Sequence, residues 1–161
     1  MKLEKWYEKA GKIFDSLVSE QDVIYHNSDE GLTFCDCRGT WAYFIPGFCA
    51  ASVNRRPESE QEKGLLIHKA YEKAVSEKGY ILVKKIETGS VKGKRAVRLT
   101  NVNGVSAIVN NKFLRAFPKN VDYYVKDAKS PVLVSLWTGI VNPIAIVCPA
   151  LTHNFKPDPT E

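Results

Sequence analysis

Residues 105–151 read VSAIVNNKFLRAFPKNVDYYVKDAKSPVLVSLWTGIVNPIAIVCPAL, and this stretch decides the fold. The β-prone residues 106–109 precede a short helix, which Asn110 or Asn111 can cap and Pro118 ends. Residues 121–126, 132–137 and 144–147 follow as three strands separated by turn residues. The stretch therefore predicts a strand, a short helix and an antiparallel meander.

The beginning of the chain repeats this order of elements. Residues 2–19 carry apolar side chains at helical spacing, and the strand pattern follows at 23–27, 32–37 and 40–45. Two halves, each a helix followed by an antiparallel meander, predict an α+β domain with at least seven strands. The helices near residues 3–18 and 111–117 are expected on the same side of the sheets. A further helix is predicted at 58–78, and two strands, 80–87 and 95–99, are predicted around a loop at 88–94.

Length and composition are typical of one globular domain. The chain has 161 residues, of which 25% are charged and 44% hydrophobic. No apolar run approaches the ~20 residues of a membrane helix, and the charged N-terminus lacks the apolar core of a signal peptide. We expect a cytoplasmic protein without membrane association, with its domain at residues 1–151 and a loose tail at 152–161.

Basic residues are concentrated in a few segments. The window from Lys78 to Arg98 has seven basic residues and one acid, a net charge of +6, whereas the whole chain has +5. Such a window is typical of an anion-binding surface, and solvated lysines on an edge strand are the alternative. Basic residues also share one edge of the first helix and recur at i, i+3 and i+7 from Lys112. The predicted phosphate-binding residues are Lys5, Lys9, Lys12, Lys84, Lys85, Lys92, Lys94, Arg95, Lys112, Arg115 and Lys119.

Four cysteines are too few and too irregularly spaced for a disulfide scaffold. Cys35 and Cys37, with Cys49 and His26 nearby in sequence, are compatible with zinc, but the second cysteine pair of a structural zinc site is absent. The other interpretation is buried, reduced cysteines. We expect no metal and no cofactor, and we expect His68 to be a surface or half-buried histidine rather than a ligand.

Motifs of known catalytic chemistry are absent from the sequence. It contains no Ser-His-Asp order and no H-E-x-x-H, so a non-enzymatic protein is predicted. Two alternatives stay open. One is a protein-binding module with Trp41, Phe44 and Phe48 as anchors, and the other is a small enzyme around His26 and the cysteines.

The central stretch resembles a domain of the bacterial DNA sliding clamp, the beta subunit of DNA polymerase III. The matching segments are Asn111-Lys112-Phe113-Leu114, Phe117-Pro118-Lys119-Asn120-Val121, Pro131-Val132-Leu133-Val134 and Cys148-Pro149-Ala150. Residues 24–27 and 29–34 are more faintly similar to an early strand pair of such a domain. The helix at 58–78 and the basic hairpin have no counterpart, which suggests an insertion at about 54–98.

The resemblance implies a clamp-like fold and association with double-stranded DNA. Family members contain several such domains in each chain, whereas this chain has the length of one. A single domain cannot surround a duplex, so we expect a monomer or simple dimer that lies against DNA. Cys148 and Ala150 replace the methionines near the family's pocket for partner peptides, and ten residues follow Leu151.

Overall fold

A computed structural model describes residues 2–47, 62–137, 139, 141–151 and 154–159. Within these ranges the chain forms three helices and a ten-stranded antiparallel sheet, which confirms the α+β prediction. The helices are α1 (Leu3–Ser19), α2 (Glu62–Ser76) and α3 (Asn111–Leu114). The strands are β1 (Ile24–Ser28), β2 (Gly31–Cys35), β3 (Trp41–Pro46), β4 (Ile81–Val91), β5 (Lys94–Asn101), β6 (Ser106–Asn110), β7 (Val121–Val125), β8 (Val132–Trp137), β9 (Val141–Val147) and β10 (Phe155–Pro157).

The sheet joins the two predicted meanders edge to edge. Its strand order is β1-β2-β3-β9-β8-β7-β4-β5-β6, with β10 added to β4. The meanders β1-β2-β3 and β7-β8-β9 meet where Tyr43 pairs with Ala145. The hairpin β4-β5, which we assigned to an insertion, lies inside the continuous sheet between β7 and β6.

Strand alternation divides the sheet into two faces with separate cores. In β2, Leu32 and Phe34 belong to a large core that also contains Trp6 and Phe14 of α1. The intervening Thr33 and Cys35 point to the opposite face, where α2 packs. Successive side chains of a strand point to opposite faces, so one short strand supplies both cores.

The helices α1 and α3 share the large core, in agreement with the predicted placement on one side. Phe113 and Leu114 pack against this core, and the ring of Phe117 lies 5.3 Å from that of Trp6. The side chain of Asn110 accepts a hydrogen bond from the backbone N–H of Lys112 and caps α3.

Two sequence predictions near the hairpin were wrong. The expected loop at 88–94 is a two-residue turn, in which Lys92 and Gly93 both have positive φ angles, 51° and 80°. Such turns match the twist of the flanking strands, so β4 and β5 continue to the tip. The tail is also not loose at residues 155–157, since Phe155 pairs with Val91 and Pro157 with Gly89. The helix predicted at 58–78 begins at Glu62 in the described chain, and residues 58–61 lie outside it.

Candidate nucleic-acid interface

The basic edge of α1 is joined directly to the segment that follows α3. Lys9 is half-buried, and its ammonium group donates a hydrogen bond to the backbone oxygen of Ala116 over 2.6 Å. Lys5 and Lys12, one turn to either side on the same helix edge, are exposed. Arg115, the neighbour of Ala116, is exposed too. Two basic segments about 105 residues apart in sequence therefore form one surface.

The tip of the β4-β5 hairpin lies at the same end of the sheet as α3, and strand alternation directs Lys94 to the face opposite Val97 and the α1 core. Ala96 of β5 pairs with Asn110, the residue that caps α3. Lys94 begins β5 two residues before Ala96, and Lys112 follows Asn110 by two residues, so both lie beyond the same end of the β5-β6 ladder. Lys92 occupies the adjacent turn, and all three lysines are exposed. We call the resulting surface the basic ridge; it consists of Lys5, Lys9, Lys12, Lys92, Lys94, Lys112, Arg115 and Lys119.

Within the described chain, no basic ridge residue forms an ion pair with a carboxylate. Lys9 uses its ammonium group internally, and the Lys112 ammonium lies 5.5 Å from the centre of the Phe113 ring. The other cations face solvent. Neighbouring like charges that are not paired with carboxylates produce a positive potential that attracts polyanions.

The exposed Trp137 is joined through its backbone to the segment that contains Lys119. Trp137 has 52% of its surface exposed, and its backbone N–H donates to the oxygen of Asn120, the residue after Lys119. The Asn120 side-chain amide in turn donates to the Trp137 oxygen over 3.3 Å. Exposed aromatic rings near lysines are typical of surfaces that bind single-stranded nucleic acids, and Trp137 was not among the residues predicted from the sequence.

The structure separates three of the predicted phosphate-binding residues from the basic ridge. Arg95 forms a bidentate ion pair with Asp158 of the tail, in which the two guanidinium nitrogens lie 2.8 and 2.5 Å from the two carboxylate oxygens. Hydrogen bonds from Arg95 and the Thr88 hydroxyl lower the pKa of the Asp158 carboxyl to about 2. Lys84 and Lys85 lie near the other end of β4, roughly 25 Å from Lys92 along the strand. Lys85 is also 3.8 Å from Glu87.

The basic excess of the window from Lys78 to Arg98 is smaller in the fold than in the sequence. Besides the Arg95–Asp158 pair, Arg98 makes two hydrogen bonds of 3.0 Å with Glu87, its cross-strand partner. These hydrogen bonds are the main cause of the lowered pKa of Glu87. Of the basic residues in this window, Lys92 and Lys94 belong to the basic ridge, and both are exposed.

The aromatic residues proposed as protein-binding anchors have other neighbours. Trp41 is half-buried and lies 4.4 Å from the ring of Tyr43. Phe44 stacks on Tyr71 of α2 at 4.9 Å. Phe48 lies outside the described residues. The structure thus places two of the three side chains in packing contacts.

The residues of the alternative site around His26 and the cysteines differ in their surroundings. Cys35 is fully buried, and burial raises the pKa of its thiol to about 12. Cys37 is exposed in the following turn, where the carboxylate of Asp22 accepts its backbone N–H. Cys35, Cys37 and Cys148 are free thiols, and Cys49 lies outside the described residues. His26 is stacked on the ring of His68, 4.6 Å away.

Polar side chains surround His68 and form a cluster that was not predicted from the sequence. Its Nδ1 lies 2.6 Å from the Thr33 hydroxyl, and its Nε2 lies 3.0 Å from a carboxylate oxygen of Glu72 and 3.8 Å from one of Glu30. Among the described residues, His68, Glu72 and Glu30 form a group that could hold a metal ion. In the sequence, only the spacing of His68 and Glu72, one helical turn apart, indicated that two of these side chains would be neighbours.

Comparisons of the chain with protein-family models, curated proteins and solved structures return no match. The resemblance to sliding clamps therefore stays a prediction. In the described part of the chain, every helix is too short or too polar to cross a membrane.

Proposed function

We propose that this protein binds the phosphate backbone of double-stranded DNA through the basic ridge, without catalysing a reaction. The observation that carries the proposal is that three basic segments, distant in sequence, are neighbours in the fold. The Lys9–Ala116 hydrogen bond joins the first two segments, and the pairing of Ala96 with Asn110 joins the third. A surface of lysines binds phosphates with little sequence preference, because phosphates carry no base information.

The geometry favours binding from one side. The ridge lies along an exposed helix edge and a hairpin tip, both of which project outward from the core. The resemblance to sliding clamps supports DNA as the polyanion. A single domain lies against the duplex in this proposal, and salt-sensitive affinity follows from the release of counterions.

The test compares two triple charge reversals of equal size. The ridge variant replaces Lys94, Lys112 and Arg115 with Glu, and the control variant replaces Lys63, Lys69 and Lys78 with Glu. All six residues are exposed and lack ion-pair partners in the described chain. The first two control residues lie on α2, which packs on the opposite face of the sheet. Binding to a labelled duplex is measured by fluorescence anisotropy at about 50 mM salt.

The ridge variant should bind about 100-fold more weakly than the unmodified protein, since three phosphate contacts of about 1 kcal/mol each are lost. The control variant should retain affinity to within a few-fold. Equal weakening of both variants would mean that only net charge matters. Absence of binding by the unmodified protein would eliminate the proposed function.

A further inference from the structure

The helix α2 approaches the β1-β2 hairpin so closely that only glycine fits at the contact. A Cβ atom on Gly64 would lie 1.9 Å from the backbone oxygen of Tyr25. Because of this close approach, the next turn of α2 also packs against the hairpin, and His68 is only 5% exposed. The His68 side chain is therefore positioned by a helix packed against a hairpin.

The imidazole of His68 is held in one orientation. Thr33 is fully buried, and its hydroxyl lies 2.6 Å from Nδ1. The ring of His26 stacks on one face at 4.6 Å with an interplanar angle of 28°, and the ring of Phe44 lies 6.4 Å away. The Thr33 oxygen can accept a hydrogen bond from a proton held on Nδ1, and in that tautomer the lone pair is on Nε2. This arrangement is the one found at metal-binding histidines, whose second nitrogen donates to an outer partner.

Two carboxylates converge on that Nε2 atom from different elements. Glu72 lies on α2, and Glu30 lies in the β1-β2 turn. The three candidate ligand atoms all lie within 4.8 Å of one another. Bonds of ~2.0–2.2 Å to one ion require ligand atoms no more than ~4.4 Å apart, and the exposed carboxylates can close this small difference by rotation.

We propose that His68, Glu72 and Glu30 form a binding site for one divalent transition-metal ion. One imidazole nitrogen and two carboxylate oxygens form a donor set suited to ions such as Zn²⁺ and Mn²⁺. The two glutamate side chains are 53% and 71% exposed, so the ion would keep positions open to water. The site lies on the α2 face of the sheet and is separate from the basic ridge.

The competing interpretation is an ordinary ion pair, in which a protonated His68 is neutralised by the two glutamates. It predicts no affinity for metal. Zn²⁺ binding to metal-free, full-length protein distinguishes the two when measured by isothermal titration calorimetry. Thiols also bind Zn²⁺, so the measurement uses a background in which Cys37, Cys49 and Cys148 are replaced by Ser.

In that background, Zn²⁺ should bind with a stoichiometry of one. The double variant E30Q/E72Q should lose at least about tenfold in affinity, and the matched variant E20Q/E62Q should not. Zn²⁺ at about 100 times its Kd should raise the Tm of the background protein by about 5–10 °C, but not that of E30Q/E72Q. No Zn²⁺ binding in the cysteine-replaced background, or equal affinity in the two double variants, would overturn the proposal.

Discussion

The ammonium group of Lys9 donates a hydrogen bond to the backbone oxygen of Ala116, 107 residues further along the chain. This contact fixes the long first helix to the segment that follows α3. It lies beside the packing of Trp6 against Phe117, whose ring centres are 5.3 Å apart. A single lysine thus links the core of the fold to the surface that we propose binds DNA.

Replacing Lys9 with Met should lower the free energy of unfolding by about 1–2 kcal/mol. The methionine keeps the apolar stem but leaves the carbonyl of Ala116 without its charged donor. The equivalent change at exposed Lys5, which has no such contact, should cost less than about 0.5 kcal/mol. Urea denaturation of the two variants provides the comparison. Equal stability of K9M and K5M would show that the hydrogen bond contributes nothing measurable.

Replacing Gly64 with Ala should destabilise the protein even though alanine is the better helix former. Alanine gains about 1 kcal/mol of helix propensity, but its Cβ would lie 1.9 Å from the Tyr25 backbone oxygen. Overpacking against backbone typically costs ~1–3 kcal/mol or more, so the net effect should be a lower Tm. Replacement of exposed Lys73 on the same helix by Ala is the control. A Tm for G64A at or above that of the unmodified protein would contradict the close packing of α2.

The docking of the tail should depend on pH through Asp158. The Arg95 pair and the Thr88 hydrogen bond lower the folded-state pKa of Asp158 from 3.8 to about 2. Because the folded pKa lies below the unfolded one, the stabilisation is complete above about pH 4 and is lost as the pH falls towards 2. Relative to the intrinsic rate at each pH, amide hydrogen exchange of Phe155 and Lys156 in β10 should accelerate over this range.

The variant D158N should show the same accelerated exchange already at neutral pH. D15N, which changes an exposed carboxylate on α1, should leave the exchange of the tail unchanged. If D158N and the unmodified protein exchange at the same rate at neutral pH, the ion pair does not hold the tail.

Intrinsic fluorescence should report DNA binding through Trp137. This side chain is exposed and its backbone bonds to Asn120, the residue after Lys119, whereas Trp6 is fully buried and Trp41 is half-buried. Bound DNA would replace water around the Trp137 ring, so titration with unlabelled duplex should quench its emission. The quenching should disappear in W137F, with binding retained in the anisotropy assay. Quenching of the same size in W137F would place the bound duplex elsewhere.

The order of elements was predictable because it rests on local patterns. The helix with Trp6 and Phe14 on one face has clear helical periodicity, and β8 has the predicted bounds, Val132–Trp137. The hairpin tip was not predictable because Gly89 resembles a loop residue. In the fold this glycine lies in a strand, where a Cβ would be 2.3 Å from the oxygen of Lys156 in the tail. The need for glycine at position 89 therefore comes from Lys156, 67 residues further along the chain.

The interface and the His68 cluster were predictable only in part, for the same reason. The lysines of the basic ridge are visible in the sequence, but their grouping depends on the contact between Lys9 and Ala116 and on the register of β5 and β6. Arg95 looked equivalent to Lys94 until the tail placed Asp158 beside it. Glu30 joins His68 only because α2 packs across the β1-β2 hairpin.

The salt dependence of duplex binding tests the central claim most directly. If about four cations of the basic ridge contact phosphates, log Kobs should fall with log salt concentration with a slope of about −4. The ridge variant with Glu at positions 94, 112 and 115 should have a slope about three smaller in magnitude, and the control variant should keep the slope of the unmodified protein. A slope near zero for the unmodified protein, or no detectable binding at about 50 mM salt, would contradict DNA binding through the basic ridge.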